Sequence, residues 1–369
     1  MSRATRVLLS SRDPAGAGHV LALVEAFRAH GGFEVDVIAS GVALRMLRDA
    51  GESPREFTFD NGRDCAPVGE DTAALLSGAQ TLLDETKPDV LLGSLSSFGV
   101  GIDEALVATA QCRTLTMQDF WGDVNLGLGV PAGLYLALDE YAVQLTRERW
   151  GLPAVAVGSP KHSRYRQLDV LALRRKARAY VGVRDSEQLV GFFGQSPEVP
   201  GHDSAFCDFV RAAAALRPQP VFLLRQHLKF QARREEQFKF ASAAGLRVVD
   251  VSAHLEVEPW LAACDLVATP FSLCALDHAY LSANSEEPIG VVLYLLPNTE
   301  IQQFMEQACG LKEFPTAARG LGSVARKTDE IAPLLERALR LTEARRYFDA
   351  SRAMRDEDPC RHIVEIVKT

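Results

Sequence analysis

Apolar residues in the first half of the chain gather in short runs at 7–9, 35–39, 90–92 and 115–117, with helix-length stretches between them. Val20, Leu23, Val24 and Phe27 stand at i, i+3, i+4 and i+7, the spacing of one helix face. Stretches 42–47 and 102–110 read as further helices. Strand and helix in alternation is the signature of right-handed βαβ crossovers on a parallel sheet. The alternation restarts after Gly158-Ser159-Pro160, with a basic helix over about 168–180 and apolar runs at 189–193, 221–224, 248–251, 266–268 and 291–296. The pattern predicts an α/β protein of two Rossmann-like domains in tandem, with turn punctuation near residue 160. Domains are expected at 1–160 and 161–345. The charged stretch from 329 onward reads as helical, and its last part, 346–369, is expected to cross back to the first domain.

A length of 369 residues suits two domains of ordinary size, and 47% apolar with 24% charged residues is a globular composition. The net charge of −8 argues against a broad nucleic-acid surface, because neutralising phosphates needs clustered Lys and Arg. Any phosphate must be met locally. Seven scattered cysteines without a CxxC pair suggest reduced thiols instead of a zinc site or a disulfide framework. The apolar run 7–9 is too short for a signal-peptide core, and the longest run, 289–296, is less than half of the roughly 20 residues a spanning helix needs. A cytoplasmic protein is expected, with peripheral membrane contact still compatible.

In doubly wound sheets ligands bind beyond the carboxyl ends of the strands, so the segments after each apolar run hold the candidate chemistry. The first is Ser10-Ser11-Arg12-Asp13-Pro14-Ala15-Gly16-Ala17-Gly18-His19, read as a loop whose glycines permit close backbone approach and whose His19 stands at a helix mouth beside Asp13. A tight turn with an ordinary histidine is the alternative. After 115–117 comes Gln118-Asp119-Phe120-Trp121-Gly122-Asp123, whose aromatic pair either walls an acceptor pocket or packs beneath a loop. In the second half, Gly194, Gln195 and Ser196 follow a strand and are placed to wrap a diphosphate. Arg225 and His227 end the next strand, where a guanidinium suits phosphate oxygens. Ser272 is read as a helix cap leaving N–H groups for phosphate, and Asp277 as an acceptor for ribose hydroxyls. Gln302 and Gln303 lie beyond the next strand, where they meet a sugar or are merely solvated.

Taken in order, these segments resemble the GT-B glycosyltransferases, in particular the group that adds N-acetylglucosamine to lipid-linked muramyl-peptide precursors. The likeness runs through Gly16-Ala17-Gly18-His19, Pro88-Asp89-Val90-Leu91-Leu92-Gly93, Gly158-Ser159-Pro160, Phe193-Gly194-Gln195-Ser196, Asp277 and Gln302-Gln303. Departures are a shortened glycine run, an Asp where that family carries a Glu for ribose, and Arg225-Gln226-His227-Leu228 where a histidine motif is expected. The Gly-His segment also resembles nucleotide-sugar hydrolases. The resemblance implies two Rossmann-like domains facing across a cleft, with an acceptor domain first and a nucleotide-sugar donor domain second. It implies sugar transfer from a nucleoside-diphosphate sugar, UDP favoured, to an acceptor hydroxyl, without a metal. His19 would be general base, with Asp13 or Asp119 orienting it or engaging the acceptor. A hydrolase or epimerase using the same histidine, or a noncatalytic nucleotide-sugar-binding scaffold, are the alternatives.

Overall fold

The computed structural model describes residues 3–96, 99–195, 199–227, 233–354 and 358–369. In chain order its strands are β1 (Thr5–Ser11), β2 (Phe33–Ala39), β3 (Arg55–Glu56), β4 (Cys65–Ala66), β5 (Val90–Ser94), β6 (Val100–Gly101), β7 (Arg113–Met117), β8 (Leu134–Ala137), β9 (Ala154–Ala156), β10 (Leu189–Phe193), β11 (Val221–Arg225), β12 (Arg247–Asp250), β13 (Leu266–Thr269), β14 (Val291–Leu295) and β15 (Ser323–Ala325). The chain divides into two units, Met1–Arg164 joined by Glu357–Thr369, and Tyr165–Asp356. Against the boundary read at 160, the helix Pro160–Ser163 therefore stays with the first unit.

The first unit is a seven-stranded sheet in the order β3-β2-β1-β5-β7-β8-β9, parallel throughout. Successive side chains on a strand point to opposite faces, so each central strand serves two cores. Val7 and Leu9 join Val90 and Leu92 under the helix Pro14–His30. Leu8 and Leu91 face the other way, toward Leu75, Leu83, Ile102 and Leu106 on the helices Ala73–Thr86 and Ile102–Thr109. The C-terminal helix Pro359–Lys368 lays Ile363, Val364 and Val367 into the first of these cores.

The second unit is a six-stranded sheet, β12-β11-β10-β13-β14-β15, again parallel. The basic helix expected over 168–180 forms as Val170–Tyr180, but two of its arginines point inward. Arg174 Nη1 donates to the carbonyls of Ala262, Ala263 and Ile289 at 2.8–2.9 Å. Arg178, only 4% exposed, donates to the carbonyls of Ala263, Arg184 and Glu187 at 2.6–2.9 Å. Both pair with Asp265, which also accepts the Leu189 N–H at 2.7 Å. This clamp closes the amino ends of β10 and β13 and satisfies carbonyls that would otherwise be buried without donors.

In each sheet the strand order reverses once, between β1 and β5 and between β10 and β13. A crevice opens at such a reversal because the flanking connections leave in opposite directions, so the carboxyl ends of these strands are where a ligand is expected.

Candidate functional site

In the first unit the segment read as a glycine loop is mostly helix. Asp13 is the N-cap and Pro14 the first helical residue, so Gly16, Gly18 and His19 lie in the first two turns of Pro14–His30. Proline at that position lacks only an N–H that the helix would leave unpaired anyway. The two glycines stand where neighbouring side chains come close. A Cβ on Gly16 would collide with the hydroxyls of Ser11 and Ser94 and lie 2.6 Å from Ser94 Cβ, and one on Gly18 would lie 2.8 Å from Lys161 Cγ. Gly16→Ala should therefore destabilise the first unit by about 1–3 kcal/mol through overpacking at the β1–β5 reversal, read as a lowered denaturant midpoint. His19 is buried, and its Nδ1 accepts the Lys161 N–H at 3.2 Å, so that nitrogen already holds the segment after β9.

Asp119 stands half-buried just beyond β7. Burial, together with the charges of Asp123 and Asp13, pushes its carboxyl up to about 7, against the pull of Lys161. A carboxyl in that range exchanges its proton at neutral pH. Its neighbours in sequence are structural. Gln118 is fully buried and donates to the Asp123 carbonyl at 2.8 Å and to Thr146 Oγ1 at 2.9 Å. Phe120 and Trp121 are 8% and 2% exposed and meet edge to face at 5.7 Å, with Trp121 Nε1 donating to Asp139 at 3.1 Å. Packing, not a pocket wall, is the role the structure gives this pair.

Beneath this rim lies a buried ionic network that the sequence reading passed over. Arg12 Nη2 donates to the Gly99 carbonyl at 3.1 Å and pairs with Glu104 at 3.4 Å. Glu104 also accepts the Gly101 N–H at 2.8 Å, reaching back over its own helix start. Ser10 Oγ donates to Asp103 at 2.6 Å. Burial and the adjacent Glu104 raise the Asp103 carboxyl, and burial raises Glu104 against the pull of Arg12. Burial opposes the Arg12 charge, but Glu104, Asp13 and Asp103 outweigh it and hold the guanidinium above its ordinary value. The signal in the sequence was Gly101-Ile102-Asp103-Glu104, a pair of acids in the first turn of a helix.

In the second unit the expected phosphate wrap is differently built. The Gly194 N–H is taken by the Arg225 carbonyl at 2.8 Å, and the Gln195 N–H by His202 Nε2 at 3.1 Å. Burial, with nearby Arg233, pushes His202 down to about 4, so it is neutral and free to accept. These two amides therefore brace β10 against β11 and against the helix His202–Ala215, and are occupied before any ligand arrives. Ser196 lies outside the described residues. Arg225 is 6% exposed and its Nη2 donates to the carbonyls of His254 and Leu255 at 3.2 and 3.1 Å, while its Nε has no partner among the described residues. Burial lowers its pKa although Cys274, Glu258 and Asp277 oppose the shift. His227 is half-buried at the same strand end.

The helix after β13 is Cys274–Asn284, one residue later than a Ser272 cap requires, with Leu273 as N-cap. Ser272 Oγ nonetheless accepts the Cys274 N–H at 3.3 Å. Asp277 is buried in the first turn. Tyr165 and Glu258, absent from the sequence reading, belong to the same cluster. The Tyr165 hydroxyl donates to Glu258 Oε1 at 3.0 Å, and burial together with Asp277 and Glu258 raises its pKa well above the usual phenol value. The paired glutamines diverge. Gln302 Nε2 ties the carbonyls of Leu296 and Arg326 together at 2.7 and 3.0 Å, and Gln303 is exposed. Gln302 thus locks the end of β14 to the chain after β15.

Among the described residues no group of three or more His, Cys, Asp or Glu is arranged to hold a metal ion, and no helix is long and apolar enough to cross a membrane. No family model and no curated protein matches the chain in sequence. Solved structures do match over the whole length. The UDP-GlcNAc 2-epimerase of Neisseria meningitidis bound to UDP-GlcNAc superposes with a TM-score of 0.71 at 14% identity, covering 99% of this chain and 100% of that one. A glycosyltransferase from Rickettsia africae gives 0.64 at 10% identity, with 100% and 98% covered. MurG of Acinetobacter baumannii gives 0.58 at 12% identity, with 99% of each chain covered. The chain has the GT-B fold. At such identities the GT-B likeness is one of backbone, and the chemistry must be argued from this chain's own side chains.

Proposed function

We propose that this protein is an enzyme acting on a nucleoside-diphosphate sugar, UDP favoured, and that Asp119 is its proton-transfer group. The observation that carries this is a half-buried carboxyl at the carboxyl end of β7, poised near neutrality within a GT-B fold. His19 and Asp13 support it instead of replacing it. His19 Nδ1 fixes the Lys161 main chain, Lys161 draws Asp119 toward its ionised form, and Asp13 repels it. We assign the nucleotide to the second unit, at the carboxyl ends of its strands where Arg225, His227, Ser272, Asp277 and Gln303 stand. The solved GT-B structures with UDP or UDP-GlcNAc bound support that ligand class.

In the first reading the sugar moves to an acceptor hydroxyl. The acceptor oxygen bonds to the anomeric carbon, the bond from that carbon to the diphosphate oxygen breaks, the diphosphate leaves with its electron pair, and the acceptor proton passes to Asp119. A second reading, rearrangement or hydrolysis of the nucleotide sugar without an acceptor, is favoured by one observation. Phe120 and Trp121, for which the wall of an acceptor pocket was one of two readings, are buried.

Two measurements test this. UDP and UDP-sugars should raise the thermal midpoint through binding to the folded state alone. Incubation of a UDP-sugar in deuterated water, with and without a panel of hydroxyl acceptors, should then separate the readings. A glycosylated acceptor supports transfer, free sugar supports hydrolysis, and an epimer carrying solvent deuterium at carbon supports epimerisation. No midpoint shift with any nucleotide or nucleotide sugar, and no product of any kind, overturns the proposal.

A further inference from the structure

The proton transfer assigned to Asp119 uses none of the buried network below it, yet that network touches three rim segments of the first unit. Asn125 is the link. It lies in the segment after β7, six residues beyond Asp119. Its Nδ2 donates to the carbonyls of Ser96 and Gly99 at 2.6 and 2.8 Å, which follow β5, and to Glu104 Oε1 at 3.0 Å. Its Oδ1 accepts the Gly127 N–H at 3.0 Å, which settles which end of the amide faces inward. Glu104 in turn pairs with Arg12, the residue before Asp13 in the segment after β1, and Arg12 shares the Gly99 carbonyl with Asn125. One side-chain amide therefore ties the segments after β1, β5 and β7 to a single buried ion pair.

We propose that Asn125 is a positioning residue for the proton-transfer site of the first unit. The inference rests on the reading of Asp119 given above. A carboxylate in place of the amide would accept, not donate, and would set a second negative charge against Glu104. A methyl would take this donor from the Ser96 carbonyl and leave the Gly99 carbonyl to Arg12. Either change frees the Arg12–Asp13 segment from the segment that carries Asp119. The groups that face Asp119 are Asp123, Asp13 and Lys161, and those that face Glu104 are Arg12, Asp13, Asp103 and Tyr135. Asp13 raises the Asp119 carboxyl by repulsion, so letting it drift away lets that carboxyl titrate at lower pH.

The test compares Asn125→Ala, Asn125→Asp and Glu104→Gln with the parent and with Asp119→Asn in the full chain. Each of the three hub variants should lower kcat by about 10- to 100-fold, the range that a shift of an ångström in a reacting group produces. KM for the UDP-sugar and the midpoint shift given by UDP should stay unchanged, and the ionisation limb of the pH–rate profile should move toward acid. A structural role alone would lower the folded fraction and leave that limb in place. Should Asn125→Ala fail to fold, Glu104→Gln, which keeps the side chain's shape but turns one of its two acceptor oxygens into a donor, carries the comparison. Unaltered kcat and pH limb beside an inactive Asp119→Asn overturn the positioning role alone. A fully active Asp119→Asn overturns the reading beneath it.

Discussion

Asp119→Asn is expected to reduce turnover of the nucleotide sugar by about 10²–10⁴-fold, the usual contribution of a positioned general base. KM should change little, because the nucleotide is assigned to the other unit. In the parent, activity should rise with pH through about 7 as Asp119 ionises, and this limb should vanish in the variant. The same substitution has an opposite effect on stability. Asp119 holds its proton in the folded chain up to about pH 7 but loses it near 4 when unfolded, so between these values the folded state binds the extra proton and stability falls as pH rises. Asparagine never ionises. The variant should therefore melt above the parent at pH 8, and the gap should close as pH falls toward 4. A variant both inactive and less stable at pH 8 would mean that the side chain holds the rim together instead of moving a proton.

Asp265→Ala is expected to cost about 1–3 kcal/mol, the scale for leaving polar groups without their partner at a half-buried site. It would leave the guanidiniums of Arg174 and Arg178 side by side without their counter-charge, and the Leu189 N–H without its acceptor. Asp265→Asn, which keeps an acceptor but loses the charge, should fall between. The measurement is the denaturant midpoint together with hydrogen exchange of β10 and β13, with β1 and β5 of the first unit as the internal reference. A loss below about 1 kcal/mol would show that the arginine-to-carbonyl hydrogen bonds hold the clamp by themselves.

Runs such as 90–92, 189–193 and 266–268 declared themselves because parallel strands covered on both faces are apolar at nearly every position, and the intervening helices carry a 3.6-residue period. The strands β9 and β15 did not, being three residues long and only partly buried, and β8 was passed over although its four residues are mostly buried. Chemistry was less legible than fold. Asp119 and Asp13 were visible as acids after apolar runs, where any doubly wound sheet presents its ligand-facing ends. Whether an amide is already taken was not, since Gly194 and Gln195 are occupied by Arg225 and His202, residues on other elements.

The alternation of the central apolar strands with helices, and with it two parallel sheets and their ligand-facing ends, was legible in local pattern, because burial on both faces makes each of those strands apolar independently of its partners. Which polar side chains are free was decided by tertiary contact. Gly16 and Gly18 serve Ser94 and Lys161, Gln302 joins two strand ends, and Phe120 and Trp121 fill the core. The near-neutral carboxyl of Asp119 arises from burial beside Asp13 and Asp123, and the charge that one group feels from residues brought close by folding is a property of distance in space, which sequence spacing does not encode.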